Sequence, residues 1–434
     1  MRRFTELRPG SMRFLERAGP SMPNGVPMAW MATLYQHPPI VVDRGSGGAF
    51  TDIDGNSYLD FNLADTSMFT GHGVEAVARA SAERVSGGSQ FLLPTEDSAE
   101  VAAALAERFG LPCWQFTLSA TQANTEAIRV ARSATGRSTV LMFDGKYHGQ
   151  ADELLGEIEG DGVVPEGLGV PLDATRHVRL VPYNDLEAVE RELARGDVAC
   201  VLAEAAITNT GVVLPADGFH SGLRRLASQS GALLVLDETH TLVAGPGGLT
   251  ARWGLEPDML VMGKSISSGV PLGAYGMTTT VADVLERPAS ASFADVVATG
   301  GTLFANALSM AAARVTLAEV LTPRAYEHAA ALGGRLADGI EAVAAAHGLR
   351  WRAHRLYNRS GYTHAPELPR NAVEARATFD GELYNAQRLY MANRGVWEAI
   401  DSAGPACGIR TSEADVDRYL ETLDGFLGEV APAR

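Results

Sequence analysis

The chain has 434 residues, of which 46% are hydrophobic and 20% are charged, a composition typical of a soluble globular protein. This length exceeds what one compact core usually holds, so two or three structural units are expected. The formal net charge is −16, and an acidic protein is repelled by the phosphates of nucleic acids and by anionic membranes. The composition therefore argues against a nucleic-acid-binding or membrane-associated protein.

The N-terminal segment and the cysteines suggest neither secretion nor a metal site. Residues 1–19 are basic but lack the apolar core of a secretory signal, and no apolar run is long enough to span a bilayer. The three cysteines are scattered and follow no spacing typical of disulfide frameworks or zinc sites. We therefore expect a cytoplasmic protein that binds no metal.

The first 60 residues predict an irregular arm followed by a β-hairpin. Proline and glycine cluster over residues 19–25, which favours short turns. Farther along, two strand-like runs flank Asp54-Gly55, a dipeptide typical of tight hairpin turns. We expect this hairpin to form part of a small domain.

From about residue 96 to residue 310, apolar runs of strand length alternate with amphipathic helical patterns. The apolar runs are Ser138–Phe143, Ala199–Ala203, Ala232–Leu236 and Met259–Met262, and the helical patterns include Gln122–Ala134, Leu186–Ala194 and His220–Gln229. This alternation predicts an α/β fold whose mostly parallel sheet is covered by helices on both faces. Ligands bind at the carboxyl ends of the strands in such sheets, so the residues that follow each run are the candidate site.

The end of the chain predicts a smaller α+β unit. Short strands are expected around Arg350–Tyr362 and a terminal helix over Ser412–Leu427. The predicted domain limits are 1–60 for the N-terminal arm and part of the small domain, 61–310 for the large domain, and 311–434 for the C-terminal small domain.

Lys264 lies just after the run Met259–Met262, beside Gly263, and three interpretations are open for it. A phosphate-binding loop of the G-x-x-x-x-G-K-S type would need a glycine where the chain has Asp258. An exposed lysine in a turn would need no function. A Schiff-base lysine would use its desolvated amine as a nucleophile toward a carbonyl cofactor.

Asp237 follows the run Ala232–Leu236 and supports the third interpretation. A carboxylate at the end of an apolar strand is costly to bury without a partner. Enzymes that use pyridoxal 5'-phosphate (PLP) need an aspartate at the pyridine nitrogen, where its charge keeps the nitrogen protonated and the ring able to accept electrons. A helix-capping role is the alternative for this aspartate.

Other side chains near the predicted strand ends could complete a PLP site. Ser119 begins an S-x-x-Q capping box, and the N–H groups of that helix start could bind a phosphate. Tyr147 could stack on a pyridine ring, although ordinary packing also explains an aromatic residue there. Glu204 ends another apolar run and Thr302 precedes a helix, so both are further candidates.

The residues singled out above lie in segments whose sequences and order along the chain resemble the class III aminotransferases, near the glutamate-1-semialdehyde aminomutase branch. The resemblance covers about residues 22–323. The matching segments are the hairpin Thr51–Asp60, the phosphate loop Ser119–Asn124 with Arg129–Arg137 after it, Tyr147-His148-Gly149, Glu204 with Asn209–Gly211, Asp237-Glu238, Lys264 and Gly301-Thr302.

The resemblance implies a fold type I PLP-transferase-like protein, with Lys264 and Asp237 as catalytic residues. The cofactor-binding residues that it implies are Ser119, Ala120, Thr121, Tyr147, His148, Glu204, Asn209, Asp237, Lys264 and Thr302. Because Gly301-Thr302 resembles the segment that reaches the phosphate of the neighbouring subunit's cofactor, the resemblance also implies a homodimer with a shared active site.

The chain departs from this family at positions that bear on the substrate. The aminomutases carry an arginine shortly after the N-terminal P-x-G-V stretch, whereas Pro23–Val26 is followed by Met28, Trp30 and Met31 without an arginine. The segment after Asp237-Glu238 continues as Thr239-His240-Thr241 instead of the usual V-x-T. The missing arginine argues against glutamate-1-semialdehyde as the substrate.

We therefore predict a PLP-dependent aminotransferase that moves an amino group from an amine or amino acid to a keto acid or aldehyde by a ping-pong mechanism. The alternative is an isomerase on the same scaffold, namely an aminomutase, racemase or epimerase. Trp30, Arg355 and Arg359 are the candidate substrate contacts. The two arginines are four residues apart, which predicts one face of a strand, although surface exposure also explains them.

Overall fold

The computed structural model describes residues 1–160, 162–286, 292, 295–400 and 403–430. Contacts divide the chain into two units. The small unit comprises Met1–Val74, Arg324–Pro369 and Ala375–Arg434, and the large unit comprises Glu75–Pro323 and Arg370–Glu374.

The helices and strands follow one another along most of the chain. The helices are α1 (Arg2–Glu6), α2 (Pro9–Ala18), α3 (Glu75–Gly87), α4 (Glu96–Phe109), α5 (Ala120–Thr135), α6 (Leu186–Leu193), α7 (Phe219–Ser230), α8 (Gly248–Arg252), α9 (Thr279–Ala282), α10 (Ala307–Val315), α11 (Pro323–Ala346), α12 (Ala372–Ala377), α13 (Gly381–Ala392) and α14 (Glu413–Val430). The strands are β1 (Val42–Ser46), β2 (Ala49–Asp52), β3 (Ser57–Asp60), β4 (Cys113–Thr117), β5 (Thr139–Phe143), β6 (Gly156–Glu159), β7 (Gly162–Pro165), β8 (Val178–Val181), β9 (Val198–Glu204), β10 (Leu233–Asp237), β11 (Met259–Met262), β12 (Gly273–Met277), β13 (Arg352–Ala353), β14 (Tyr362–Thr363) and β15 (Val396–Trp397). Among the helices of the described residues, none is long and apolar enough to cross a membrane.

A seven-stranded sheet forms the centre of the large unit, in the order β4-β12-β11-β10-β9-β5-β8. β8, β5, β9, β10 and β11 pair in parallel, whereas β12 is antiparallel to both of its neighbours. Every residue of β5, β9 and β11 is buried, which explains why these strands are continuous apolar runs in the sequence. The predicted α/β fold with a mostly parallel sheet is confirmed.

Helix α5 packs against one face of this sheet, where it contacts β9, β11 and β12. Ala123, Ala127 and Val130 are fully buried in the same core as Val261 of β11 and Tyr275 of β12. Their spacing of four and three residues places these side chains on one face of the helix. This packing places the first turn of α5 near the strand ends that form the candidate site.

The main segment of the large unit runs from Glu75 to Pro323, whereas the predicted limits of the large domain are residues 61 and 310. Residues 61–74 group with the small unit, where Phe61 lies in the core and the ring of Phe69 lies 5.3 Å from that of Tyr326. Helix α10 groups with the large unit because it packs against α3 and α4.

The small unit contains a four-stranded sheet in the order β1-β2-β3-β15. β2 and β3 form the predicted hairpin, and Gly55 adopts a φ of 86° in its turn, a conformation that glycine tolerates. The Asp54 carboxylate in the same turn accepts hydrogen bonds from the backbone N–H groups of Gly10, at 2.5 Å, and Ser11, at 2.9 Å. These bonds attach the hairpin to the start of α2.

Candidate active site

The carboxyl ends of three neighbouring strands bring the predicted catalytic residues to one edge of the sheet in the large unit. Glu204 ends β9 and pairs in register with Asp237, which ends β10. Asp237 in turn pairs with Val261 of β11, three residues before Lys264. Adjacent strands lie about 4.8 Å apart, so both carboxylates and the lysine segment occupy one small region.

Asp237 is buried and accepts four hydrogen bonds. Its Oδ2 atom lies 2.9 Å from Nδ1 of His148 and 2.8 Å from Nδ2 of Asn124. Its Oδ1 atom accepts from the backbone N–H of Thr239 at 3.0 Å and from the hydroxyl of Thr239 at 2.5 Å. Because a carboxylate only accepts, Nδ1 of His148 carries the proton in this pair.

The hydrogen bonds decide the charge of Asp237. Burial alone raises the pKa of this carboxyl, but the hydrogen bonds from His148, Thr239 and Asn124, together with the charge of His148, outweigh it. The pKa of Asp237 therefore lies below its ordinary value. The group is an anion near neutral pH although it is only 3% exposed.

Two polar atoms beside Asp237 indicate that a further polar group belongs in this site. Nε2 of His148 and Oδ1 of Asn124 are buried and have no hydrogen-bond partner among the described residues. Buried polar atoms are nearly always paired in folded proteins. An anionic carboxylate with unsatisfied polar neighbours fits a cationic heterocycle such as the protonated pyridine of PLP.

Lys264 lies in a short turn, Lys264–Ser267, directly after β11. Its φ of 55° is unusual for a residue other than glycine, and such strain is stored most often at functional sites. The preceding Gly263 approaches α5 closely, because a Cβ atom on it would lie 3.1 Å from the backbone nitrogen of Ala120. Glycine at 263 thus allows Lys264 to lie beside the start of α5.

The chain contains only two lysines, Lys146 and Lys264. Lys146 is buried, and its ammonium donates to the carbonyl of Gly156 at 2.8 Å and to the carboxylate of Glu166. These bonds attach it to the β6–β7 hairpin. Lys146 thus has a structural role in this hairpin, and the Schiff-base role of Lys264 stays a prediction.

The start of α5 has the predicted Ser119 cap, whereas the Gln122 side chain bonds one residue before the N-cap position that a capping box uses. The Ser119 hydroxyl accepts from the backbone N–H of Gln122 at 3.3 Å, and the Gln122 side chain accepts from the backbone N–H of Leu118 at 3.1 Å. The first N–H groups of a helix have no partner within the helix. Those of Ala120 and Thr121 are suited to hold a phosphate.

The segment Tyr147-His148-Gly149 lies against the same helix start. The Thr121 hydroxyl accepts from the backbone N–H of Gln150 at 3.2 Å. Gly149 has a φ of 109°, and a Cβ atom on it would lie 2.2 Å from that hydroxyl oxygen, so a side chain there would clash. Tyr147, two residues before Gly149, is half-buried, and its stacking on the pyridine ring stays a prediction.

Two of the predicted cofactor contacts lie in segments other than β10, the Lys264 turn and the start of α5. Thr302 is exposed on a turn before α10, where its carbonyl accepts from Gln90, and Asn209 is half-buried in the loop after β9. Among the contacts of the described residues, none joins either side chain to Asp237. The cofactor-binding roles of Thr302 and Asn209 stay predictions.

The prediction that Arg355 and Arg359 share one face of a strand is wrong. The chain reverses between Leu356 and Arg359, and Tyr357 adopts a φ of 57° in this turn. The Arg355 side chain is 42% exposed and pairs with the carboxylates of Asp338, at 2.7 Å, and Glu341, at 3.0 Å. Arg359 is instead 4% exposed, so the two side chains differ in environment. The spacing rule failed because a tight turn, not a strand, separates them.

Trp30, the third candidate substrate contact, lies in the small unit. It is 50% exposed and lines a cavity of about 570 Å³ together with Met28 and Met31. Among the described residues that line this cavity there is no arginine or lysine, and its ionisable side chains are Tyr35, Asp60, Asp65 and His72. The wall of this cavity is therefore largely apolar.

Asn124 is the functional candidate that the sequence analysis missed. It is fully buried in the first turns of α5 and donates both to Asp237 and to the carbonyl of His148, at 2.9 Å. The signal was present in the sequence, since Asn124 is a polar residue beside the buried positions Ala123 and Ala127. Its partner could not be inferred from the sequence, because Asp237 is 113 residues away and only the folded sheet places it beside Asn124.

Glu238, the neighbour of Asp237, serves the fold. Its buried carboxylate accepts from the hydroxyls of Thr241 and Thr250 and from the backbone N–H groups of Leu249 and Thr250. We expect Glu238→Ala to lower the free energy of unfolding by about 3 kcal/mol, because the donors would lose their buried acceptor. Urea unfolding would measure this, with the exposed Glu256→Ala as the control; equal midpoints for the two variants would contradict it.

The comparisons with known proteins identify the family. Residues 30–353 match the model of the family Aminotransferase class-III. The glutamate-1-semialdehyde 2,1-aminomutase of Anaeromyxobacter sp. (strain Fw109-5) is 37% identical over 403 residues, which cover 91% of this chain and 92% of that protein. The chain belongs to the class III aminotransferase family.

Solved structures support the same fold. A glutamate-1-semialdehyde aminomutase from Pseudomonas aeruginosa PAO1 aligns with a TM-score of 0.94 at 40% identity, covering 99% of this chain and 96% of that one. A lysine-to-alanine variant of such an aminomutase from the same organism was solved in complex with PMP. A β-phenylalanine aminotransferase from Variovorax paradoxus aligns with a TM-score of 0.89 at 28% identity, covering 99% and 96% of the two chains. This class III enzyme therefore has the fold type I PLP-transferase fold and uses PLP.

Proposed function

We propose that this class III enzyme is a PLP-dependent aminomutase, which moves an amino group between two positions of one small substrate. The observation that carries the proposal is the similarity of the whole chain to aminomutases, in a protein that keeps Lys264 and the Asp237 cluster. The relatives thus favour the isomerase alternative over the transamination that the sequence analysis preferred.

The residues of the large unit have separate tasks in this reaction. PLP, when bound, withdraws electrons from the carbon that bears the amino group. The anionic Asp237, oriented by His148 and Asn124, holds a positive charge at the pyridine nitrogen. The amine of Lys264 accepts a proton from the substrate carbon and returns it at another position. The first N–H groups of α5 hold the phosphate and keep the cofactor in place.

A second candidate function, transamination of a less polar amine, is favoured by the cavity of the small unit. If Trp30 contacts the substrate, a substrate carboxylate would find no arginine or lysine among the described lining residues. Leaving such a carboxylate unpaired in an apolar pocket is costly. An aromatic or aliphatic amine would instead pack against Trp30, Met28 and Met31.

A stoichiometric experiment distinguishes the two functions. The PLP form of the enzyme is incubated, without a carbonyl acceptor, with glutamate-1-semialdehyde and with a panel of aromatic and aliphatic amines. For an aminomutase we expect sustained turnover of one substrate into its isomer, because no second substrate is needed. Conversion that stops after one equivalent per active site, and resumes when a keto acid is added, would contradict the aminomutase and show a transaminase.

We also infer that the enzyme acts as a homodimer with a shared active site. The exposed position of Thr302 supports this, since a phosphate contact made to a neighbouring subunit requires an accessible side chain. Symmetric dimers are the commonest oligomers of soluble proteins. The other partners are small molecules: the substrate and, for transamination, an amino donor and a carbonyl acceptor.

A further inference from the structure

Three buried polar side chains of the large unit form a continuous hydrogen-bonded chain that begins at Glu204. The hydroxyl oxygen of Thr208 lies 2.6 Å from Oε2 of Glu204 and 2.7 Å from Nδ1 of His240. All three residues are buried. The other oxygen of Glu204, Oε1, accepts from the backbone N–H of Tyr147 at 3.3 Å. The chain therefore links the Tyr147 segment to His240 through one carboxyl and one hydroxyl.

The Thr208 hydroxyl has a single hydrogen, so it can donate to only one of its two neighbours. When Glu204 is ionised, Thr208 donates to Oε2 and accepts from Nδ1–H of His240. When Glu204 is protonated, the carboxyl donates to Thr208, Thr208 donates to Nδ1, and the imidazole hydrogen lies on Nε2. The protonation state of Glu204 is thus coupled to the tautomer of His240.

We propose that Glu204, Thr208 and His240 form a proton relay, in which His240 delivers a proton to Glu204 and removes it again. During uptake, a proton bound to a water molecule moves to Nε2 of His240, the hydrogen on Nδ1 moves to Thr208, and the hydroxyl hydrogen moves to Oε2. Three bonds to hydrogen break and three form, so the net change is one proton gained by Glu204. No electrons are transferred.

The surroundings of Glu204 make both protonation states accessible. The charged and titratable groups that face it are Asp237, His148 and the phenol of Tyr183. Burial and, to a smaller extent, the charge of Asp237 raise the pKa of Glu204 to about 7, against the opposing effects of His148 and of the hydrogen bonds from Thr208 and Tyr147. The folded-state pKa therefore lies near the physiological pH.

The relay would control the charge beside Asp237, the carboxylate that we propose for the pyridine nitrogen. Below about pH 7, Glu204 is mostly protonated, so Asp237 carries the negative charge of these two neighbouring carboxyl groups. As the pH rises, Glu204 loses its proton and a second negative charge appears one strand away from Asp237. His240 lies in the segment Thr239-His240-Thr241, which directly follows Asp237-Glu238. The relay is independent of whether the enzyme isomerises or transaminates its substrate.

The test measures the proton itself. Infrared difference spectra of the holoenzyme between pH 6 and pH 8, which bracket the pKa of about 7, should contain the band of a protonated carboxyl that Glu204→Gln removes. After a pH jump, this band should relax about tenfold or more slowly in His240→Gln, with its amplitude retained. Glutamine keeps a hydrogen bond to Thr208 but cannot carry the proton, so a merely structural role would leave the relaxation rate unchanged.

Thr208→Val supplies a second variant, and Thr210→Val, two residues along the same loop, is the matched control. We expect the carboxyl band of Thr208→Val to relax slowly after the pH jump and to persist to higher pH. The hydrogen bond from Thr208 stabilises the ionised form of Glu204, so its loss raises the pKa of this carboxyl. Thr210→Val should relax like the wild type. A band that persists in Glu204→Gln, or equal relaxation rates in wild type and His240→Gln, would overturn the relay even if Thr208→Val failed to fold.

Discussion

Replacing Lys264 with alanine should lower kcat by about 10⁴-fold or more, because the variant loses both the covalent partner of the cofactor and the group that moves the substrate proton. The only other lysine, Lys146, is buried and bonded to Gly156 and Glu166, so it cannot take over the role. Steady-state kinetics of the purified variant, with PLP added, would measure the loss.

A labelling experiment can identify the lysine to which the cofactor is covalently attached. When the enzyme with bound PLP is reduced with borohydride, peptide mapping should find the label on Lys264. The control is Lys146→Met, which lacks the second lysine and should still be labelled at Lys264 if it folds. A label on Lys146 in the wild type, or near-normal turnover of Lys264→Ala, would contradict the assignment of the catalytic lysine.

Asp237→Asn should lower kcat by about 100-fold or more while the fold and much of the cofactor binding are retained. The substitution preserves the shape of the side chain and removes the negative charge that the hydrogen bonds from His148 and Asn124 maintain. Without that charge, the pyridine nitrogen no longer stays protonated and the ring becomes a poorer electron acceptor. Comparison of kcat with the content of bound PLP would separate loss of chemistry from loss of cofactor.

The matched control for this variant is Asp258→Asn, which changes a carboxylate at the opposite end of the same strands. Asp258 precedes β11 and bonds with Arg224, at 2.8 Å, and with the backbone N–H of Leu234, at 2.7 Å. Its loss should affect stability and leave kcat close to the wild-type value. Near-normal kcat in Asp237→Asn, or equal losses in both variants, would show that Asp237 does not have the role we assign.

Much of the large unit could be predicted from the sequence, because its local patterns and its packing agree. β5, β9 and β11 are buried at every position, so their apolar runs were visible without knowledge of their neighbours. The helix cap at Ser119 is also local, since its partners lie within four residues of one another. The prediction that Arg355 and Arg359 share one face of a strand failed because the chain makes a tight turn between Leu356 and Arg359.

The sequence by itself determined the α/β pattern, the two strand-end residues Asp237 and Lys264, and the helix start that suits a phosphate, since each depends on residues close together in the chain. Only the tertiary structure decided which side chains surround Asp237. Asn124 and His148 are 113 and 89 residues away from it, and only the parallel order of the strands brings them within hydrogen-bond distance. The same holds for His240, 32 residues from Thr208, because spacing along the chain carries no record of which strands are neighbours.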